Sequence, residues 1–145
     1  MRILLDTNVL VAAVSGGHTH HAQAFPLLER VQQGKDEGFV SAHSLAEMYA
    51  ILTKLPVPFR HTPEQAFLSI EENVIKFFHI GGLTGADYTS LLRESALLGV
   101  QGGMIYDAIV LRCASKAGVN RIFTFSLKHF QAMAPKSMKP LLLSL

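Results

Sequence analysis

Three acidic residues stand within otherwise apolar stretches of the sequence: Asp6, Glu47 and Asp107. An ionised carboxylate in such surroundings is costly unless it is paired or holds a cation. None of the three has a basic residue immediately beside it, so together they would repel one another unless a cation lay among them. Ligands that offer only oxygen favour a hard divalent ion such as Mg²⁺ or Mn²⁺ over zinc. The three carboxylates therefore predict a magnesium site.

Each carboxylate also has a purely structural interpretation. Asp6 precedes a predicted helix and could cap it, because Asp is a favoured N-cap residue. Glu47 follows Ser44 by three positions, which is the spacing of a capping box. Asp107 lies near the start of another predicted helix, where its charge would interact favourably with the helix dipole. The metal site differs from these interpretations because it requires all three residues to converge.

Short apolar runs alternate with helical patterns along the chain. Strands are predicted at residues 2–6, 38–41, 73–80, 121–125 and 138–145, and helices at 7–14, 18–33, 44–55, from 63, 84–98 and 104–117. This alternation is typical of an α/β fold with a mainly parallel sheet covered by helices on both faces. A length of 145 residues suits a single domain, 1–145. Ligands bind such sheets at the carboxyl ends of the strands, which is where Asp6 falls.

The composition indicates a folded protein in a reducing compartment. Hydrophobic residues make up 49% of the chain and charged residues 17%, which excludes disorder. No run approaches the roughly 18 apolar residues of a membrane helix, and a strand-like run starting at Arg2 leads us to expect no signal peptide. Cys113 is the only cysteine and cannot build a disulfide framework. We expect a cytoplasmic protein whose other acids, such as Asp36 and Glu37, lie in exposed turns.

Basic residues are concentrated in the last part of the chain. The net charge is only +2, but no Asp or Glu follows Asp107. Six of the 13 Lys and Arg residues lie there: Arg112, Lys116, Arg121, Lys128, Lys136 and Lys139. This asymmetry would suit a phosphate backbone, although solvated surface lysines would give the same pattern.

Four motifs around the carboxylates resemble those of PIN-domain ribonucleases of the VapC toxin type. They are Leu-Leu-Asp-Thr-Asn-Val-Leu at 4–10, Val-Ser-Ala-His-Ser-Leu-Ala-Glu at 40–47, Gly-Gly-Met-Ile-Tyr-Asp-Ala-Ile-Val-Leu at 102–111, and Ile-Phe-Thr-Phe-Ser-Leu-Lys-His-Phe at 122–130. Each motif alone is weak. Together they run in the order of the family over essentially the whole chain, which makes the resemblance specific.

The resemblance implies a PIN-like three-layer α/β/α fold and metal-dependent hydrolysis of RNA. It also implies neutralisation by a small cognate antitoxin, and we expect a homodimer. By position in the motifs, Asp6, Glu47 and Asp107 correspond to the catalytic metal ligands, with Mg²⁺ as cofactor and Mn²⁺ able to substitute. Asn8 and Thr124 correspond to residues that orient those carboxylates.

Ser126 departs from the family pattern, which often has Asp or Asn at this point of the fourth motif. A serine hydroxyl is a weaker ligand than a carboxylate, so we expect one firmly bound magnesium and a second ion recruited with the substrate phosphate. Ser126 also favours an alternative function, a PIN module that binds RNA or a protein partner without cleaving. A haloacid-dehalogenase-like phosphatase would need Asp where Asn8 stands, and a receiver-like domain would need an acidic pair that is absent.

Two further groups of residues have the chemistry for binding. Basic side chains near the third and fourth motifs are candidate RNA contacts: Arg112, Lys128 and His129. A surface ion pair is an equal alternative for Arg112. Three early histidines invite a zinc site: His18, His20 and His21. A histidine-rich loop that leads into a helix is more often solvated or close to a substrate.

Overall fold

The computed structural model describes the whole chain, Met1–Leu145, as one sheet between two layers of helices. None of its helices has both the length and the apolar character required to cross a membrane. The elements in chain order are β1 (Arg2–Leu5), α1 (Thr7–Val14), α2 (His21–Gln32), β2 (Glu37–Ser41), α3 (Ala42–Leu52), α4 (Pro63–Ile70), β3 (Phe78–Gly81), α5 (Gly85–Leu97), α6 (Met104–Ala117), β4 (Arg121–Thr124), α7 (Leu127–Met133) and β5 (Leu142–Ser144).

The sheet has the strand order β3-β2-β1-β4-β5, with every pairing parallel. β1 is therefore central, with Leu4 opposite Phe39 of β2 and Leu5 opposite Phe123 of β4. The predicted α/β fold with a short parallel sheet is confirmed. Because parallel strands end at the same edge, Asp6 emerges between the ends of β2 and β4.

Successive side chains of β1 point to opposite faces of the sheet, as the pleat requires. Ile3 and Leu5 belong to a buried cluster with α1, α2, α3 and α4. Leu4 belongs to a second cluster with α6 and α7. All three side chains are at most 1% exposed. A run that is apolar without interruption is what a strand buried on both faces needs.

Two predicted strands are shorter in the structure. Residues 73–80 were expected to be extended, but Glu71–Ile75 form a π-helical turn that continues α4, and β3 begins only at Phe78. Ile70 and Val74, four residues apart, are both buried, so helical spacing prevails there over strand alternation. At the chain end, a 3₁₀ turn at Lys139–Leu141 precedes β5.

Asp36 is buried, and the prediction that it lies in an exposed turn is wrong. Its side chain is 4% exposed. Oδ1 accepts a hydrogen bond from the amine of Met1 at 3.0 Å, and Oδ2 accepts one from Nε of Arg30 at 2.6 Å. Glu37 is exposed as expected. Asp36 therefore links the beginning of the sheet to the end of α2.

Candidate active site

Asp6 lies where β1 ends and α1 begins. Its backbone N–H donates to the carbonyl of Phe123, and its carboxylate Oδ1 accepts from the backbone N–H of Thr7 at 2.7 Å. The interpretation of Asp6 as the N-cap of α1 is therefore confirmed. Oδ2 accepts from Oγ1 of Thr124, at the end of β4, also at 2.7 Å. The two oxygens of this 4% exposed residue are held from two different elements.

The carboxyl of Asp6 is hard to ionise in this environment. Its pKa is raised to about 6, mainly by burial and also by the charges of Asp107 and Glu47. The hydrogen bonds from Thr124 and Thr7 act in the opposite direction. The carboxylates of Asp107 and Glu47 are therefore close enough to disfavour ionisation of Asp6.

Glu47 lies on α3 and faces His43, one turn earlier. The N-cap of α3 is Ser41, whose Oγ accepts from the backbone N–H of Ser44, so the predicted capping box between Ser44 and Glu47 is wrong. His43 Nε2 is 2.8 Å from Oε1 of Glu47, at an angle that does not make a hydrogen bond. Burial raises the pKa of Glu47, Asp107 raises it further, and His43 lowers it.

Asp107 lies in the first turn of α6, as the dipole interpretation expected. Gly102, with φ of 55°, takes the left-handed conformation that lets the chain turn into this helix. Oδ2 of Asp107 is 3.4 Å from Nδ1 of His129, which follows β4 at the start of α7. Burial raises the pKa of Asp107, and His129 acts in the opposite direction.

The donor chemistry of the three carboxylates fits a hard divalent cation. All three have raised pKa values because of burial, and a cation among them would offset the repulsion that raises the pKa of Asp6. No three His, Cys, Asp or Glu side chains form a ready ligand set, however. Glu47 and Asp107 instead approach His43 and His129. Asp6 is the carboxylate with both oxygens already fixed.

The predicted supporting residues join the ends of β1 and β4. Asn8 donates from Nδ2 to Oγ of Ser126 at 3.1 Å, and its Oδ1 accepts from the backbone N–H of Phe125 at 3.4 Å. The N–H of Ser126 donates to Oγ1 of Thr124 at 2.9 Å. The same Thr124 hydroxyl bonds Asp6. The structure thus brings Asp6, Asn8, Thr124 and Ser126 into one hydrogen-bonded group.

The predicted RNA contacts lie in two different places. Lys128 and His129 are exposed at the start of α7, and His129 lies beside Asp107. Arg112 lies five residues after Asp107 on α6, about 140° further around the helix. Its guanidinium forms an ion pair with Glu94 and donates to Ser90. The surface ion pair expected as the alternative for Arg112 is therefore present.

The three early histidines do not converge on a common point. Nδ1 of His18 accepts from the backbone N–H of His20, Nδ1 of His20 pairs with Gln23, and Nδ1 of His21 contacts the carbonyl of Ala12. The zinc interpretation has no support from these separate contacts. His20 instead stacks on the ring of Phe125, with ring centroids 4.7 Å apart.

Two residues beside the carboxylates were not assigned a role from the sequence. His43 contacts Glu47, and its ring stacks on Tyr106 with centroids 4.9 Å apart and an angle of 7°. The spacing of four residues between His43 and Glu47 on a helix was a usable signal. Tyr106 directly precedes Asp107, but nothing in its local sequence predicts the stack.

The sequence of this chain is similar to that of one family of known proteins. A model described as PIN domain matches residues 3–134. Ribonuclease VapC40 of Mycobacterium tuberculosis is 33% identical over 113 residues, which cover 78% of this chain and 78% of that protein. Ribonuclease VapC27 of the same species is 29% identical over 114 residues, which cover 79% of this chain and 77% of that protein.

Solved structures with the same fold are more distant in sequence. VapBC2 of Rickettsia felis, bound to a promoter DNA fragment, matches with a TM-score of 0.66 at 18% identity, over 100% of this chain and 99% of that one. VapC20 of M. tuberculosis, a sarcin–ricin loop cleaving toxin, matches with 0.65 at 17% identity, over 90% and 94%. These solved structures share the fold, and the family model together with the 33% identity to VapC40 shows that the chain belongs to the PIN domain family.

Proposed function

We propose that this protein is a magnesium-dependent endoribonuclease, a VapC-like toxin that hydrolyses RNA phosphodiester bonds. The observation that carries the proposal is the position of Asp6 at the end of the central strand, where the charges of Asp107 and Glu47 raise its pKa. These three residues are the proposed metal ligands and catalytic residues. Mg²⁺ is the expected ion, and Mn²⁺ is expected to replace it.

A bound divalent ion would lower the pKa of a coordinated water and polarise the scissile phosphate. The residues of the chain prepare the site for it. Thr124 and the backbone of Thr7 fix the two oxygens of Asp6. His129, 3.4 Å from Asp107, is the nearby basic group that can approach the phosphate or the leaving oxygen. Lys128 is exposed beside it and adds positive charge for the RNA backbone.

The partners proposed for this chain are an RNA substrate, a cognate antitoxin and a second copy of the chain. The antitoxin partner is supported by the similarity of this fold to that of VapBC2 of R. felis. Several large apolar side chains of α3 and α4 are exposed, such as Ile51, Phe67 and Leu68. Apolar surface of this kind suits a protein partner.

The nuclease proposal is tested with purified protein, a panel of transfer and ribosomal RNAs, and control of the metal. We expect cleavage in Mg²⁺ or Mn²⁺, none in EDTA, and recovery when Mg²⁺ is restored. Asp107→Asn should abolish cleavage while RNA binding persists, because the change removes one ligand charge and keeps the shape. Full activity in EDTA, or in Asp107→Asn, would contradict the proposal.

A second candidate function is a PIN module that binds RNA or a protein without cleaving. Ser126 favours it, because a fourth carboxylate is missing there. The orientation of Glu47 and Asp107 toward histidines also favours it. Metal-dependent turnover of any RNA in the panel would exclude this candidate.

A further inference from the structure

Two pairs of stacked rings border the carboxylates. In the first, which we name the Tyr106 stack, the rings of His43 and Tyr106 lie 4.9 Å apart at 7°. In the second, the His20 stack, the rings of His20 and Phe125 lie 4.7 Å apart at 29°. Tyr106 is 48% exposed, and His20 is also exposed. Each stack therefore keeps ring surface in contact with solvent.

The topology of the sheet places the two stacks on opposite sides of Asp6. His43 lies two residues after the end of β2, and Phe125 directly follows β4. β2 and β4 flank β1, which ends just before Asp6. Neighbouring strands are about 4.8 Å apart, so the ends of β2 and β4 are separated by roughly 10 Å with Asp6 between them.

Both stacks are connected to residues of the site. His43 is 2.8 Å from the carboxylate of Glu47, and Tyr106 is joined through the backbone to Asp107. On the other side, the N–H of Phe125 donates to Oδ1 of Asn8. The two rings of each stack pack against one another, which restricts their rotation. Rings that are already restricted lose little conformational entropy when a ligand stacks on them.

Exposed aromatic rings beside the proposed cleavage site are suited to unpaired nucleobases. Every base has a π-face, so stacking on aromatic side chains holds single strands without requiring a particular sequence. Bases inside a duplex stack on each other and cannot reach such a surface. Lys128, which follows Phe125 by three residues, adds a cationic group for the backbone between the bases, and the exposed His129 adds a polar ring beside it.

We propose that the Tyr106 stack and the His20 stack are base-binding platforms for the nucleotides on either side of the scissile phosphate. One unpaired base is then held on Tyr106 and the other on His20. This inference rests on the proposed function, because it takes the carboxylates between the stacks as the cleavage site. A purely structural role is the competing explanation, in which Tyr106 only orients His43 against Glu47.

The test compares RNA with and without bases. The probes are a fluorescein-labelled octaadenylate and an abasic octamer with the same backbone, and binding is followed by fluorescence anisotropy in EDTA. We expect Tyr106→Leu and His20→Leu each to weaken octaadenylate binding roughly fivefold to a hundredfold and to leave abasic binding unchanged. Tyr106→Trp should retain the affinity, since it keeps an aromatic face.

Tyr88 provides the matched control. It is an exposed tyrosine of α5, next to Asp87, which pairs with Lys116 near the far end of α6. Asp107 and Lys116 are nine residues apart, or about 13 Å along the helix. Tyr88→Leu should therefore bind both probes like the unaltered protein. Thermal melting of all variants separates loss of a platform from loss of folding.

The binding and cleavage results distinguish the base platforms from a purely structural role of the rings. Equal losses on both probes, no loss on octaadenylate, or no binding of octaadenylate by the unaltered protein would overturn the platforms. So would binding of a blunt RNA duplex with the same sensitivity to Tyr106→Leu. Cleavage is scored separately in Mg²⁺. Base-dependent binding without cleavage would contradict the nuclease alone, and cleavage with equal losses on both probes would contradict the platforms alone.

Discussion

The hydroxyl of Thr124 donates a 2.7 Å hydrogen bond to Oδ2 of Asp6, across 118 residues of the chain. Both residues are buried, at 0% and 4% exposure. The bond lowers the pKa of Asp6 and so opposes burial, which raises it. It connects the neighbouring strands β1 and β4 at the point where each ends, so the sheet topology itself sets the orientation of the central carboxylate.

Removal of this hydroxyl should weaken metal binding. Thr124→Val keeps the shape of the side chain but leaves Oδ2 of Asp6 without its donor, so the pKa of Asp6 should rise. Loss of such an orienting partner typically costs about 10- to 100-fold in metal affinity or activity. The measurement is the Mg²⁺ concentration for half-maximal cleavage. Thr124→Ser should restore it, and an unchanged Mg²⁺ requirement in Thr124→Val would refute this role.

A carboxylate at position 126 should create a second ion site. Ser126 is linked through Asn8 and Thr124 to the group that holds Asp6, and an Asp there would complete the acidic set that the family often has. We expect Ser126→Asp to bind two Mn²⁺ ions where the unaltered protein binds one, as measured by electron paramagnetic resonance of free Mn²⁺. The matched control is Ser126→Asn, which is neutral. A stoichiometry of one in Ser126→Asp would count against this prediction.

The parallel sheet and the position of Asp6 could be read from the sequence because both depend on local patterns. Residues 2–5 are followed by a polar residue and a helical pattern, which marks the carboxyl end of a buried strand. Local patterns gave the wrong N-cap for α3. The sequence suggested a capping box between Ser44 and Glu47, but Ser41 also suits an N-cap and is the one observed. Pairing of Ser41 with Gly81 extends β2 to Ser41, so the neighbouring strand decides where α3 begins.

Contacts between distant parts of the chain could not be predicted from the sequence. Asp36 reads as a surface acid because its immediate neighbours are polar, yet Arg30 and the amine of Met1 approach it in the fold. Likewise, the stack of His43 on Tyr106 joins residues of α3 and α6. Such pairs depend on how the helices pack against the sheet, and no local pattern records that packing.

The ionised carboxylate of Asp36 should stabilise the protein, and this stabilisation should be lost in acid. The hydrogen bond from Arg30, followed by the amine of Met1, holds the pKa of Asp36 below its usual 3.8. A depressed pKa in the folded state contributes stability above the unfolded value, and this contribution is lost as the pH falls through the folded pKa. Asp36→Asn should cost about 1.5 kcal/mol at neutral pH and less in acid.

Urea unfolding of both proteins from pH 7 to pH 2 measures the Asp36 effect. The difference in unfolding free energy between the unaltered protein and Asp36→Asn should shrink as the pH falls below about 4. Glu37→Gln is the control, because Glu37 is exposed and its contact with Arg2 lies at the surface. A difference that stayed constant over this range would show that Asp36 does not contribute through its charge.

Gly17 and Gly16 should respond differently to the same substitution. A Cβ on Gly17 would lie 2.3 Å from the ring of Phe59, whereas a Cβ on Gly16 would meet nothing within 4 Å. Neither glycine has a positive φ. Gly17→Ala must displace the half-exposed ring and should cost about 1 kcal/mol, while Gly16→Ala should be neutral or slightly stabilising. Urea unfolding measures both, and equal stabilities would mean that Phe59 does not rest against Gly17 in solution.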